Sequence, residues 1–157
     1  MRIIGLIRKY GVIGFLVKAE EKLRSDVNRT YSRDYCNTIP DKNILQNQTD
    51  RRFGYEPLIS IVVPAYNTDK IMLKELMESV INQSYSKWQL CIADASNSDS
   101  VSDVVKEYSH DSRIVYKKLK KNGGISENTN EGFTMADGEY IALLDHDDCL
   151  SRDALYE

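Results

Sequence analysis

Apolar residues in this chain form two kinds of pattern, which alternate along the sequence from residue 58 onward. Short runs rich in β-branched residues predict strands, and apolar residues at helical spacing predict helices between them. The predicted strands are residues 58–63, 88–93, 113–119 and 140–144, and the predicted helices are residues 68–83, 101–108 and 126–138, with another beginning at Ser151. This alternation predicts right-handed crossovers and an α/β fold, with a mainly parallel sheet and flanking helices.

The first strand and the first helix show the pattern most clearly. Residues 58–63 are continuously apolar apart from Ser60 and are followed by Pro64, which is typical of a strand buried on both faces. The helix after it begins at a cap, Thr68 or Asp69, and extends to about Gln83. The predicted buried face of this helix contains Ile71, Leu73, Leu76, Met77, Val80 and Ile81.

The part of the chain before residue 57 has a different character, and we predict a boundary there between residues 1–56 and 57–157. Residues 1–33 carry eight Lys and Arg against three Asp and Glu, and apolar residues within 3–17 fall on one stripe of a helix. Such a basic amphipathic helix, residues 1–24, either lies peripherally on the inner face of the cell membrane or packs on another part of the protein. Residues 25–56 are polar and predict a linker with one short helix.

Composition narrows the class of protein. The 157 residues are 41% hydrophobic and 29% charged, which are values of a globular protein, and the net charge of −3 argues against nucleic-acid binding. The three cysteines form no C-x-x-C pair, and the two histidines complete no zinc pattern. Reduced thiols are expected, and they favour a cytoplasmic location.

Polar residues follow three of the predicted strands, at residues 65–69, 94–99 and 145–148, and these loops are expected to gather at one edge of the sheet. Asp145 and Asp147 are two residues apart, so an extended backbone would project both carboxylates to the same side. Beside a polyanionic diphosphate, this pair predicts a shared Mg²⁺ or Mn²⁺ ion. The alternative is a solvated acidic loop. Asp94 could accept the N3–H of a uracil or thymine ring, or it could simply belong to an Asn/Asp/Ser turn.

Five motifs in this order resemble the start of a family 2 glycosyltransferase, which has the GT-A (Rossmann-like) fold. They are residues 59–67 (ISIVVPAYN), 79–85 (SVINQSY), 92–99 (IADASNSD), 122–126 with Asn130 (NGGIS), and 138–148 (GEYIALLDHDD). By this resemblance, Asp145 and Asp147 form the D-x-D motif that binds metal, and Asp145 also binds the donor diphosphate. The resemblance also assigns nucleotide binding to Asp94, to Asn130 and to the loop that contains Pro64, Ala65, Tyr66 and Asn67. Ala93 departs from the pattern, since many members carry an acid there.

The resemblance implies transfer of a sugar from a UDP- or dTDP-sugar to an acceptor hydroxyl with inversion, in the synthesis of a cell-surface polysaccharide or glycolipid. The implied partners are a nucleotide-sugar donor and a saccharide or lipid-linked acceptor. No residue of the chain is assigned as the catalytic base, because the family normally continues past this point. We therefore expect a truncated half-domain with exposed apolar surface and a tendency to associate.

Two alternatives remain beside the transferase. One is a catalytically incompetent nucleotide-sugar-binding fragment or scaffold protein, which keeps the fold without the chemistry. The other is a signalling module that resembles a phosphate receiver. A receiver needs an acid pair at the end of its first strand, where this chain has Pro64 and Ala65.

Overall fold

The computed structural model describes residues 40–157, and these contain one four-stranded parallel sheet. The strands are β1 (Ile59–Ala65), β2 (Trp88–Asp94), β3 (Ile114–Lys118) and β4 (Tyr140–Leu143). The helices are α1 (Lys42–Asp50), α2 (Lys70–Ile81), α3 (Ser100–Glu107) and α4 (Gly124–Phe133). The strand order is β3-β2-β1-β4, and every neighbouring pair is parallel, which confirms the predicted α/β architecture.

The two central strands carry the core because they are covered on both faces. Every residue of β2 is buried, and β1 is buried or half-buried along its whole length. On one face, α2 and α3 pack against these strands, and on the other face α4 lies close to Val62 and Ala93 through Gly132. The continuous apolar runs that predicted strands at residues 58–63 and 88–93 therefore correspond to the best-buried backbone.

Helix α2 begins as predicted, with one error on its buried face. The side chain of Asp69 caps the helix by accepting hydrogen bonds from the backbone N–H groups of Ile71 and Met72. The predicted buried position Ile71 is wrong, since 69% of this residue is exposed. Ile71 lies two residues before Leu73, about 200° around the helix, and therefore faces away from the sheet.

Two further helix predictions differ from the structure. The helix predicted over residues 126–138 is α4, which begins two residues earlier, at Gly124, and ends at Phe133. The helix predicted from Ser151 is replaced by turns over residues 152–156. Short turn hydrogen bonds, such as Ala154 N to the Ser151 carbonyl, are accompanied by bonds to the end of α2, since the Arg152 carbonyl accepts from Ser84 N and Leu155 N donates to Gln83.

The segment before β1 contains the one short helix that was predicted in the linker. Helix α1 is capped by Asp41, whose side chain accepts hydrogen bonds from the backbone of Asn43 and Ile44. Residues 40–157, α1 included, form one compact unit. The amphipathic helix predicted for residues 1–24 lies outside the described residues, and no helix within 40–157 is long and apolar enough to cross a membrane.

Candidate functional site

The carboxyl ends of three adjacent strands bring three polar loops to one edge of the sheet. Because β2, β1 and β4 are neighbours and parallel, the loops over residues 65–69, 94–99 and 145–148 all leave the sheet on the same side. Ala65 pairs with Asp94 in the register, and the Ala95 N–H donates to the Ala65 carbonyl over 2.9 Å. We call these three loops the carboxyl edge.

The loop after β1 is held against the loop after β2 by polar contacts. The Asn67 N–H donates to Ser96 Oγ over 2.8 Å, and Asn67 Oδ1 accepts from the Asn97 N–H over 3.2 Å. Asn67 adopts a left-handed backbone conformation (φ 51°), which asparagine tolerates better than most residues. The exposed ring of Tyr66 stands beside this turn, and its hydroxyl lies 3.5 Å from Asn97 Nδ2.

The four residues predicted to line the nucleoside differ in burial, and therefore in whether their side chains are accessible to a ligand. Pro64 is half-buried and the Ala65 side chain is fully buried in the core, whereas the side chains of Tyr66 and Asn67 are exposed. Only the backbone of Ala65 therefore takes part in the carboxyl edge. In this loop, the side chains that are accessible to a ligand are those of Tyr66 and Asn67.

Asp94 lies at the end of β2 and is fully buried. Its Oδ1 accepts from the Ser96 N–H (2.8 Å), and its Oδ2 accepts from the Tyr116 hydroxyl (2.7 Å) and from Lys118 Nζ (3.0 Å). Burial raises the pKa of Asp94, but the hydrogen bonds from Ser96, Tyr116 and Lys118 outweigh it, so the pKa lies below its usual value. Asp94 is therefore ionised and already paired.

Lys118 and Tyr116 are the residues of this site that the sequence did not indicate. Both lie on β3, and Lys118 Nζ also donates to the Ser98 carbonyl over 2.7 Å, so it ties the loop after β2 to the neighbouring strand. The sequence offered one signal for them: both residues fall in a predicted strand, two positions apart, so their side chains lie on the same face of the sheet.

The paired acids lie in a turn and not on extended backbone. The Asp148 N–H donates to the Asp145 carbonyl over 3.1 Å, which turns the chain through His146 and Asp147. Asp145 and Asp147 are both exposed, directly after the buried Leu144. The strand therefore ends as the sequence predicted, but the side chains reach the surface through a turn.

The chemistry of this turn fits a cation that is shared with a ligand. Within residues 40–157, no group of three or more His, Cys, Asp or Glu residues is arranged to hold a metal ion by itself. Mg²⁺ needs only one or two carboxylates when phosphate oxygens and water complete its shell. Two exposed carboxylates at the carboxyl edge meet that requirement, whereas a permanently bound structural ion would need more ligands.

Asn130 lies apart from the three loops, in the wall of a cavity between the end of β3 and α4. The cavity measures about 590 Å³. Its lining includes Lys118 and Gly123 beside Asn130, so it borders the strand that pairs with Asp94. The structure thus brings Asn130 to a ligand-sized space next to the carboxyl edge.

Comparison with known proteins identifies the family. The model of the family described as glycosyl transferase family 2 matches residues 60–157, well over half of the chain. The chain belongs to this family. The matched segment contains the carboxyl edge, the cavity and the residues that follow them.

Two curated relatives show how much of a longer protein this chain covers. The uncharacterized protein y4gI of Sinorhizobium fredii is 47% identical over 107 residues, which are 67% of this chain and 12% of that protein. The putative teichuronic acid biosynthesis glycosyltransferase TuaG of Bacillus subtilis is 32% identical over 103 residues, 65% of this chain and 40% of TuaG. The chain thus spans well under half the length of these relatives.

Solved structures share the fold. S. aureus TarS 1–349 in complex with UDP-GlcNAc superimposes with a TM-score of 0.58 at 25% identity, over 63% of this chain and 29% of that one. The predicted GT-A fold is therefore confirmed for the part of the chain that the structure describes.

Proposed function

We propose that this chain is the donor-binding region of a glycosyltransferase, which takes a nucleoside-diphosphate sugar together with a divalent cation. The observation that carries the proposal is the meeting of three polar loops at one edge of a sheet in a glycosyl transferase family 2 chain. In open α/β sheets, ligands bind in the crevice outside the carboxyl ends of the strands.

Asp145 and Asp147 are assigned to the cation, and Asp145 also to the diphosphate. The two carboxylates would repel a diphosphate by themselves, and Mg²⁺ or Mn²⁺ between them removes that repulsion. When bound, the cation stabilises the charge that grows on the departing diphosphate. Inversion at the sugar also requires a general base on the acceptor side, a role that we assign to none of the described residues.

Tyr66, Asn67, Asp94 and Asn130 are assigned to the nucleoside, with Pro64 and Ala65 forming the backbone beneath it. The Oδ1 atom of Asp94 accepts one hydrogen bond in the structure, from Ser96, and a carboxylate oxygen can accept two. Because Asp94 is fully buried, a uracil or thymine N3–H would take this second position only after the groups that cover the carboxylate have moved. The S. aureus TarS complex with UDP-GlcNAc supports a UDP-type donor.

The acceptor is proposed to be a saccharide or a lipid-linked saccharide of the cell surface. Support comes from the name of TuaG, which assigns that relative to teichuronic acid biosynthesis. Contact of residues 1–24 with the inner face of the membrane would bring the donor site close to such an acceptor. That contact remains a prediction from the amphipathic pattern.

Titration calorimetry tests the proposal with UDP and dTDP as ligands, each with and without Mn²⁺. We expect Mn²⁺-dependent binding that Asp145→Asn weakens at least about 10-fold, which corresponds to ~1.4 kcal/mol. The matched control is Asp50→Asn, which removes the same charge from an exposed acid on α1, outside the carboxyl edge. Metal-independent binding, or equal losses in the two variants, would overturn the assignment of the acids.

A further inference from the structure

The motif Ser79–Tyr85 has no chemical role in the proposed function, yet all of its polar residues except Asn82 are buried or half-buried. It covers the end of α2 and the turn that follows. Gln83, Ser84 and Tyr85 are buried, and Ser79 is half-buried. Buried polar groups need hydrogen-bond partners, so their partners reveal what the motif holds.

Four hydrogen bonds join this motif to the segment that follows the acidic turn. They run from Leu150 N to Ser79 Oγ (3.1 Å), from Gln83 Nε2 to the Ser151 carbonyl, from Leu155 N to Gln83 Oε1 (3.1 Å) and from Ser84 N to the Arg152 carbonyl (2.8 Å). We call Ser79, Gln83 and Ser84 the α2 clamp. In a helix over residues 151–157, Leu155 N would donate to the Ser151 carbonyl, whereas here both groups are bonded to Gln83.

The acidic turn is consequently anchored on both sides. Before it, Leu144 is buried, and its N–H donates to the Val62 carbonyl of β1 over 3.1 Å. After it, Leu150 packs against the core and is bonded to Ser79. Only residues 145–149 lie between these two anchors.

Anchoring matters here because the turn holds three like charges. Asp145, Asp147 and Asp148 are all exposed, and their carboxylates repel one another when no cation lies between them. A turn free at one end would relieve this repulsion by opening. Ligands held in place before the ion arrives bind it more tightly, because less conformational entropy is lost on binding.

We propose that Ser79 and Gln83 are positioning residues, which hold the Asp145–Asp148 turn in the shape that binds the divalent cation. They contact the segment behind the turn, and the structure shows no bond from either side chain to the acids themselves. The proposal rests on the proposed function for the identity of the bound ion. The anchoring of the turn stands independently of it.

Two variants remove the clamp, and one control removes a similar bond elsewhere. Ser79→Ala deletes the acceptor of Leu150 N, and Gln83→Met keeps the side-chain length without its amide. The control is Tyr85→Phe, which lies in the same motif and loses a 2.6 Å hydrogen bond to the Pro57 carbonyl, before β1. Ser79→Thr keeps the hydroxyl and should retain wild-type behaviour.

Mn²⁺ titration in the presence of excess UDP, followed by electron paramagnetic resonance, supplies the first measurement. We expect Ser79→Ala and Gln83→Met to weaken Mn²⁺ affinity about 10-fold, which is the loss typical of removing a group that orients metal ligands. Tyr85→Phe should leave the affinity unchanged. Urea unfolding of all variants confirms that each is folded at the titration temperature. Mn²⁺ affinities that fall equally in Ser79→Ala and Tyr85→Phe would overturn the proposal.

Hydrogen exchange of backbone amides separates this proposal from the proposed function. Without metal, the backbone amides of residues 145–150 should exchange faster in Ser79→Ala and Gln83→Met than in the wild type. In Tyr85→Phe they should exchange at the wild-type rate. A wild-type protein that binds no Mn²⁺ in the presence of UDP contradicts the proposed function, and the hydrogen-exchange result alone then tests the role of the clamp. Unchanged amide exchange at residues 145–150 in both clamp variants would overturn the positioning role of Ser79 and Gln83. Equal acceleration in Tyr85→Phe would overturn it too.

Discussion

Asp94 shows how a single buried carboxylate can serve two purposes. Its negative charge is balanced by Lys118, whose side chain is 37% exposed, so the pair is screened on one side by water. The same carboxylate receives hydrogen bonds from Ser96 and Tyr116 and thereby joins β2, β3 and the loop between β2 and α3. If Asp94 binds a base, it does so with the same carboxylate that already stabilises the fold through these contacts.

We predict that Asp94→Asn destabilises the protein at neutral pH by about 2 kcal/mol, because hydrogen bonds to a charged group are lost or weakened. The pKa of Asp94 is lowered in the folded state, so its stabilising contribution is present above the unfolded value of about 4 and lost as the pH falls below it. Urea unfolding at pH 7 and near pH 3 should show a large difference between wild type and variant that narrows in acid.

Asp103→Asn is the control for this comparison. Asp103 is an exposed acid in surface ion pairs with Lys70 and Lys106, which contribute little to stability. Its replacement should change the unfolding midpoint only slightly at both pH values. A difference between wild type and Asp94→Asn that stays constant from pH 7 to pH 3 would contradict the role assigned to the ionised carboxylate.

At the level of elements, α4 approaches the sheet closely at Gly132. A Cβ atom built on Gly132 would overlap Val62 Cγ1 of β1, and Ala93 Cβ of β2 lies next to it at 3.8 Å. Val62 is fully buried. The absence of a side chain at residue 132 therefore sets how near α4 lies to β1 and β2, the strands that support two loops of the carboxyl edge.

Gly132→Ala should destabilise the protein by about 1–3 kcal/mol, since overpacking outweighs the better helix propensity of alanine. Val62→Ala makes room for the new methyl group, so the double variant should be more stable than the sum of the two single effects by at least about 0.5 kcal/mol. Urea unfolding of the four proteins measures this coupling. Additive effects would show that α4 shifts away freely.

Gly54→Ala provides the control for the glycine substitution. A Cβ atom on Gly54 would meet no heavy atom within 4 Å, so only the general effect of replacing glycine is expected there. A loss of stability in Gly54→Ala as large as in Gly132→Ala would remove the steric explanation.

The sequence predicted elements that depend on burial and missed contacts that depend on distant partners. The bounds predicted for strands β1 and β2 agree with the structure to within two residues, because their apolar runs reflect coverage on both faces. Ile71 was wrongly assigned to the buried face of α2, because the prediction included every apolar residue of the helix and ignored its angular position around the helix axis. The turn at Asp145–Asp148 and the missing helix after Ser151 follow from anchors at Val62, Ser79 and Gln83, more than 60 residues earlier in the chain, and no local pattern contains them.

At the scale of the whole molecule, the two edges of the sheet are built differently. Strand β3 at one edge ends in Lys117 and Lys118, and lysines on an edge strand oppose pairing with another chain. Strand β4 at the other edge contains no charged residue, and Tyr140, Ile141 and Leu143 are exposed on it. The expected exposed apolar surface is thus confirmed within the described residues, whereas association through it is a prediction.

We predict that the chain self-associates through β4 at high micromolar concentration, because an uncharged apolar edge can add a strand from a second copy. Leu143→Lys should weaken this association about 10-fold, or ~1.4 kcal/mol, by adding a repelling charge to the edge. Sedimentation velocity over a range of concentrations measures the change. Ile125→Lys is the matched control, since Ile125 on α4 is 69% exposed and Leu143 is 64% exposed, but only Leu143 lies on the edge strand. Equal weakening by both substitutions would show that general surface hydrophobicity, and not the edge of the sheet, drives association.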